Sequence, residues 1–189
     1  MAIKLSWDDK PGRKVWSITL LDGVSNHQAA LELGMPNNFI AGYNDLPSEK
    51  KPVFWAELVI AMAKYESNWD PDSIYHEPPP LDEDSIGLLQ LSYQDAKNYS
   101  FPDVLDPAKK SLEDPLINLR CGLVILSHWI AIDKVVALGS TSNSAKGGAR
   151  YWSVLRKGAD HHYYDIRNLV KSSLSLGQGS TSGQKATTF

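Results

Sequence analysis

Apolar residues along the chain gather into two long helical stretches and several shorter ones. Phe54, Trp55, Leu58, Val59, Ile60, Met62 and Ala63 are apolar on several faces of one helix. That is the pattern of a helix surrounded by core. Ser48 stands where a cap is expected, and Glu49 falls in the first turn. The helix is predicted to stop at Glu66 or Ser67, before Asn68-Trp69-Asp70-Pro71. A second long helix is predicted from Asp114-Pro115, a capping residue followed by proline at the first helical position. It runs through Leu119, Leu123, Leu126, Trp129 and Ile130 to about Leu138.

The remaining signals are weaker. Residues 1–24 read as extended or irregular, with partial alternation from Val15 to Leu21 that suggests a strand. A short helix is expected from Ser25, which has capping-box spacing to Gln28, up to Gly34 and Pro36. Pro71 and the run Pro78-Pro79-Pro80 predict an irregular loop over 70–84. Ser85 to Leu91 is a compact apolar stretch containing Gly87. A short helix follows, with Ser92 as cap and Asp95 three residues on. Residues 139–148 read as a Ser/Gly-rich loop. Two further helices are expected near 149–157 and 161–171, the second capped by Asp160. From Ser172 the chain is Ser, Thr, Gly and Gln with few apolar residues, and it reads as a loose tail over 172–189. The expectation is a single domain over 1–171, mainly α with little β, built around a buried central helix.

Composition narrows the class. The chain has 189 residues, 42% hydrophobic and 22% charged, which suits one globular domain. A net charge of −3 with no basic stripe argues against nucleic acid as a partner. No run of about 20 apolar residues predicts a membrane span. The first residues, MAIKLSWDDKPGRK, lack the apolar stretch of a secretory signal. Work outside the cytoplasm would therefore need another export route or a signal already removed. Cys121 is the single cysteine, so no intramolecular disulfide can form, and its apolar neighbours predict a buried, inert thiol. His161-His162 has no third ligand nearby, and no metal or cofactor is expected.

Glu66 is the residue whose predicted setting carries chemistry. At the C-terminal end of a buried helix, the helix dipole opposes a negative charge and apolar neighbours exclude water. Both effects favour the neutral acid. Such a group can donate a proton to a leaving-group oxygen near neutral pH.

Three blocks of sequence, in order, resemble the lysozyme-like superfamily and most closely the soluble lytic transglycosylase (SLT) type of domain. Ala61 to Pro71 (A-M-A-K-Y-E-S-N-W-D-P) is similar to that family's helix ending in E-S-x-(aromatic)-x-P. Ser85 to Leu91 (S-I-G-L-L-Q-L) is similar to its S-x-G-L-M-Q-(apolar) segment. Asp114 to Leu126 (D-P-L-I-N-L-R-C-G-L-V-I-L) is similar to its D-P-x-x-N-(apolar)-x-x-G helix. With a weaker fourth block, the resemblance covers roughly 53–157 and leaves 1–47 as an N-terminal extension. It implies an α+β lysozyme-like fold with a substrate cleft. It also implies a monomer that acts without cofactor on peptidoglycan glycan strands, in the periplasm or after secretion. The bond cut would be the β-1,4 link between N-acetylmuramic acid and N-acetylglucosamine, broken by hydrolysis or with a 1,6-anhydro product.

By position, the resemblance implies that Glu66 is the acid/base and that Ser85 and Gln90 line the cleft, with backbone near Gly87 approaching the sugar. Tyr151 resembles the family tyrosine that hydrogen-bonds the catalytic glutamate. The chain departs from the family's A-Y-N-x-G here, reading Ala149-Arg150-Tyr151-Trp152-Ser153, with Trp152 where asparagine is usual. The loop between Glu66 and Ser85 is longer than the family pattern and acidic. Asp82 or Asp84 is the expected second acid if the reaction is hydrolysis. The same acidity would attract N-deacetylated, ammonium-bearing glycan. A non-catalytic domain on the same fold, binding glycan or a wall-associated partner, is the alternative.

Overall fold

The computed structural model describes residues 3–175. The described residues form five α-helices: α1 (Arg13–Glu32), α2 (Pro36–Phe39), α3 (Lys51–Ser67), α4 (Pro115–Asp133) and α5 (Tyr163–Ser173). Two small antiparallel hairpins, β1 (Ile74–His76) with β2 (Asp84–Ile86) and β3 (Ala137–Leu138) with β4 (Lys146–Gly147), complete the regular structure beside short 3-10 turns. The architecture is mainly helical with little β, as the sequence predicts.

Every residue from Val53 to Ala63 in α3 is buried, as its all-round apolar pattern requires. The helix starts at Lys51 after a 3-10 turn over Ser48–Lys50, and Asn68 closes it in the left-handed conformation. α4 begins as expected: the Asp114 carboxylate accepts from the amides of Leu116 (2.8 Å) and Ile117 (3.3 Å). With 19 residues and a mean hydropathy of 1.5, α4 is long and apolar enough to cross a membrane. Half of it is buried inside the protein, the setting of a core helix. At its contact with α1 a Cβ on Gly23 would lie 2.4 Å from Leu123 Cδ1, so glycine lets the two helices close.

Several local expectations fail. Residues 13–32 form one continuous helix, which replaces the strand suggested by Val15–Leu21 and the separate helix from Ser25. The region 149–157 holds two 3-10 turns (Gly148–Arg150 and Ser153–Leu155) in place of a helix. α5 starts at Tyr163 after His162 with no side-chain cap, so Asp160 does not cap it. Residues 139–148 include one strand of the β3–β4 hairpin, and the proline-rich loop over 70–84 contains β1 and begins β2. At the C-terminal side α5 extends to Ser173, two residues into the expected tail. The rest of that tail, 176–189, lies outside the described residues.

Candidate active site

α3, the β1–β2 hairpin and the 3-10 turns near residues 93 and 153 enclose a cavity of about 760 Å3. Glu66, in the last turn of α3, lines it. Its Oε1 is sealed from solvent and has no hydrogen-bond partner, alone in this respect among buried side-chain polar atoms of the described residues. Buried polar atoms are nearly always paired, so an unpaired one in a cavity wall singles Glu66 out as a candidate for a functional role. Burial, then the negative charge of Glu77, push the Glu66 carboxyl up to about 7, and the Arg156 guanidinium opposes them.

Glu77 reaches the cavity through the register of the hairpin. Ile74 pairs with Ile86, Tyr75 with Ser85, and His76 with Asp84. The ladder continues with the Glu77 amide donating to the Glu83 carbonyl at 2.8 Å. Side chains alternate between the faces of a strand. His76 and Asp84 lie on the outer face, and Glu77 and Glu83 on the cavity face. The Ser85 hydroxyl donates to Glu77 Oε1 at 3.1 Å, and Glu77, Glu83 and Ser85 all line the cavity.

The two acids expected from the sequence do not reach the cavity. Asp82 and Asp84 are exposed and clasp His76, at 3.3 Å to Nε2 and 2.9 Å to Nδ1. Neither is among the residues lining the cavity, where Glu77 and Glu83 stand instead.

The other expected residues divide. Gln90 lines the cavity, and its Nε2 donates to the carbonyls of Gly87 (2.9 Å) and Ser73 (3.2 Å), fixing the amide in place. Gly87 does not line the cavity. Its φ of +76° and the approach of Asn118 Nδ2 and Leu112 O, each 2.4 Å from where a Cβ would sit, explain the glycine. The close neighbour is therefore the protein itself. Asn118, fully buried on α4, donates to the carbonyls of Ile86 and Leu112 and accepts from the Leu89 amide. It holds the 86–89 segment against the core, a role absent from the sequence reading.

Tyr151 lines the cavity, but its hydroxyl donates to Asp95 Oδ2 at 2.5 Å rather than to Glu66. Asp95 is buried on the neighbouring 3-10 turn and takes the hydroxyl, together with the Ser92 amide at 2.9 Å. Burial raises the Asp95 carboxyl, while these two donors lower it. Trp152 is 2% exposed and donates to the Leu89 carbonyl, so it forms part of the cavity wall chiefly by packing. Arg156 also lines the cavity, and its Nε is held by the Ala149 carbonyl at 3.1 Å.

A sequence profile for the Transglycosylase SLT domain matches residues 47–137. Among solved structures, a glutamate-to-glutamine variant of DslA is similar at 29% identity with a TM-score of 0.74, covering 92% of this chain and 97% of that one. Wild-type DslA is similar at 30% identity with a TM-score of 0.69, covering 90% and 96%. A second glutamate-to-glutamine variant of DslA gives the same values. A search of curated proteins finds no match. The chain belongs to the transglycosylase SLT domain family of the lysozyme-like superfamily. The family's substrate is peptidoglycan, and its members usually work in the periplasm or outside the cell.

Proposed function

We propose that the chain cleaves the β-1,4 bond between N-acetylmuramic acid and N-acetylglucosamine in peptidoglycan by hydrolysis, with Glu66 as general acid and Glu77 as the second carboxylate. The observation that carries this reading is the Glu66 carboxyl: sealed at Oε1, unpartnered, and raised to about 7 in the wall of a large cavity. A carboxyl in that state keeps its proton up to about pH 7 and has a proton to give to the glycosidic oxygen. Glu77 supplies what a single acid lacks. It is close enough for its charge to raise Glu66, and Ser85 holds it facing the cavity. In a hydrolase the second carboxylate activates water or stabilises the cationic sugar. The two DslA variants replace glutamates eleven residues apart. Glu66 and Glu77 have the same spacing.

The acidic wall also supports a preference for N-deacetylated glycan. Glu77, Glu83 and Asp95 line the cavity and Arg156 is the one basic residue among its lining. An ammonium group on the sugar is attracted by that field, and an acetamide is not. Work on the cell wall places the site of action in the periplasm or outside the cell, and the chain acts as a monomer without cofactor.

A second reading follows from the family itself. With Glu66 alone acting as acid and then base, the muramic C6 hydroxyl closes a 1,6-anhydro ring. Mass spectrometry of muropeptides released from acetylated and deacetylated peptidoglycan separates the readings. Hydrolysis predicts reducing ends, abolished in Glu66→Gln and in Glu77→Gln, with faster release from the deacetylated polymer. Anhydro ends that persist in Glu77→Gln would favour the second reading. Binding to glycan with no new ends of either kind would point to a non-catalytic domain.

A further inference from the structure

We propose that Glu83, latched by the Ser92 hydroxyl, is a positioning residue that fixes the β1–β2 hairpin so that Glu77 stays opposite Glu66. This rests on the reading of Glu77 given above. The hairpin has strands of only three residues, and β1 is exposed along its whole length. A two-stranded ribbon of this size does not hold its own position in water. Glu77 lies just beyond the last paired residue of β1, where small rotations of the ribbon move it most.

The hairpin is tied to the body at its base, where Ile86 exchanges backbone hydrogen bonds with Leu91 and accepts from Asn118, and again near Glu77. At its base, the Gly87 amide and the Gln90 side chain donate to the Ser73 carbonyl, at 2.8 and 3.2 Å. Near Glu77, the link is the Ser92 hydroxyl donating to Glu83 Oε2 at 2.6 Å. The Glu77 amide in turn donates to the Glu83 carbonyl at 2.8 Å, so Glu83 and Glu77 move together. Ser92 is a firm anchor: it is 7% exposed, its amide donates to Asp95, and Asp95 also accepts from the Tyr151 hydroxyl. A chain of hydrogen bonds therefore runs from the 148–155 region through Tyr151, Asp95, Ser92 and Glu83 to the backbone of Glu77.

The test compares Glu83→Gln, which keeps an oxygen to accept from Ser92, with Glu83→Ala, which removes the latch. Glu83 is only half-buried, so both variants leave the core intact. On fully N-acetylated glycan strands, which lack the ammonium group that the acidic wall would attract, Glu83→Ala is expected to lower kcat roughly ten- to a hundredfold, the effect of misplacing a reacting group by about 1 Å. KM stays within about threefold, and Glu83→Gln stays near the parent in kcat. The pH profile gives a second readout. Glu77 is among the groups that raise Glu66 and Glu83 is not, while Arg156 lowers it. The alkaline limb of kcat should therefore move to lower pH in Glu83→Ala and remain unchanged in Glu83→Gln.

Full turnover in Glu83→Ala would overturn the latch, as would an equal loss of kcat in Glu83→Gln, which would make the charge itself the requirement. Glu77→Gln measured alongside separates the two levels. If it retains turnover, the reading of Glu77 fails and takes the latch with it. If it loses turnover while Glu83→Ala does not, the latch alone fails.

Discussion

A carboxyl raised from 4.5 to about 7 by burial makes the protein less stable when it ionises. The folded state binds a proton that the unfolded chain has already released, so stability falls as pH rises from about 4.5 through 7. At roughly 1.4 kcal/mol per pH unit, the cost at pH 8 is about 3 kcal/mol, and near pH 4 it is close to nil. Glu66→Gln removes the ionisation and keeps the shape. It should therefore raise stability by about 3 kcal/mol at pH 8, or about 6–12 °C in Tm for a domain of this size. At pH 4 the gain should be less than about 1 kcal/mol. Chemical denaturation of both proteins at the two pH values measures it. An equal effect at pH 4 and pH 8, or a loss of stability at pH 8, would refute the claim that burial holds Glu66 protonated.

Arg156→Gln removes the one charge that opposes protonation of Glu66, so the alkaline limb of the kcat profile should move to higher pH; a shift to lower pH would contradict the assigned field. Gly87→Ala forces a Cβ to within 2.4 Å of Asn118 and Leu112 at a positive φ, and should cost about 3 kcal/mol or more in thermal denaturation. Tyr151→Phe leaves buried Asp95 short of a donor and should cost about 2 kcal/mol at neutral pH. The same variant should raise the Asp95 carboxyl further, as a carboxyl NMR titration would show.

The sequence carried the core of the fold where a local signal coincided with burial. The all-round apolar run of α3 and the Asp114-Pro115 start of α4 appear as predicted, as does the Ser92/Asp95 capping box. α1 was illegible for a physical reason. The partial alternation from Val15 to Leu21 and the capping-box spacing at Ser25 suggest two elements, whereas the single helix packs on α4, where Gly23 meets Leu123, a contact about a hundred residues away. The hairpin hid behind its prolines. Its strands exist only by pairing with each other, anchored by Ser73, Gly87 and Gln90, and none of that is written in a local period.

The site follows the same division. Glu66 and Gln90 line the cavity, and so do Ser85, Tyr151 and Trp152. Which acid of the 70–84 loop faces inward is a question of parity. With His76 paired to Asp84 on the outer face, Glu77 and Glu83 must point the other way. The acidic composition of the loop does not distinguish Asp82 and Asp84 from Glu77 and Glu83, and only the register separates the two pairs. Tyr151 binds Asp95 because a buried carboxylate with vacant acceptor sites lies beside it, a neighbour contributed by a turn 56 residues earlier.

The central claim is that its buried setting lets Glu66 keep its proton up to about pH 7. Its own titration is the most direct measure, followed through the side-chain carboxyl 13C resonance in the glycan-free protein, with Glu66→Gln identifying the signal. A midpoint near 7 is predicted; a midpoint near the ordinary 4.5 would contradict the account.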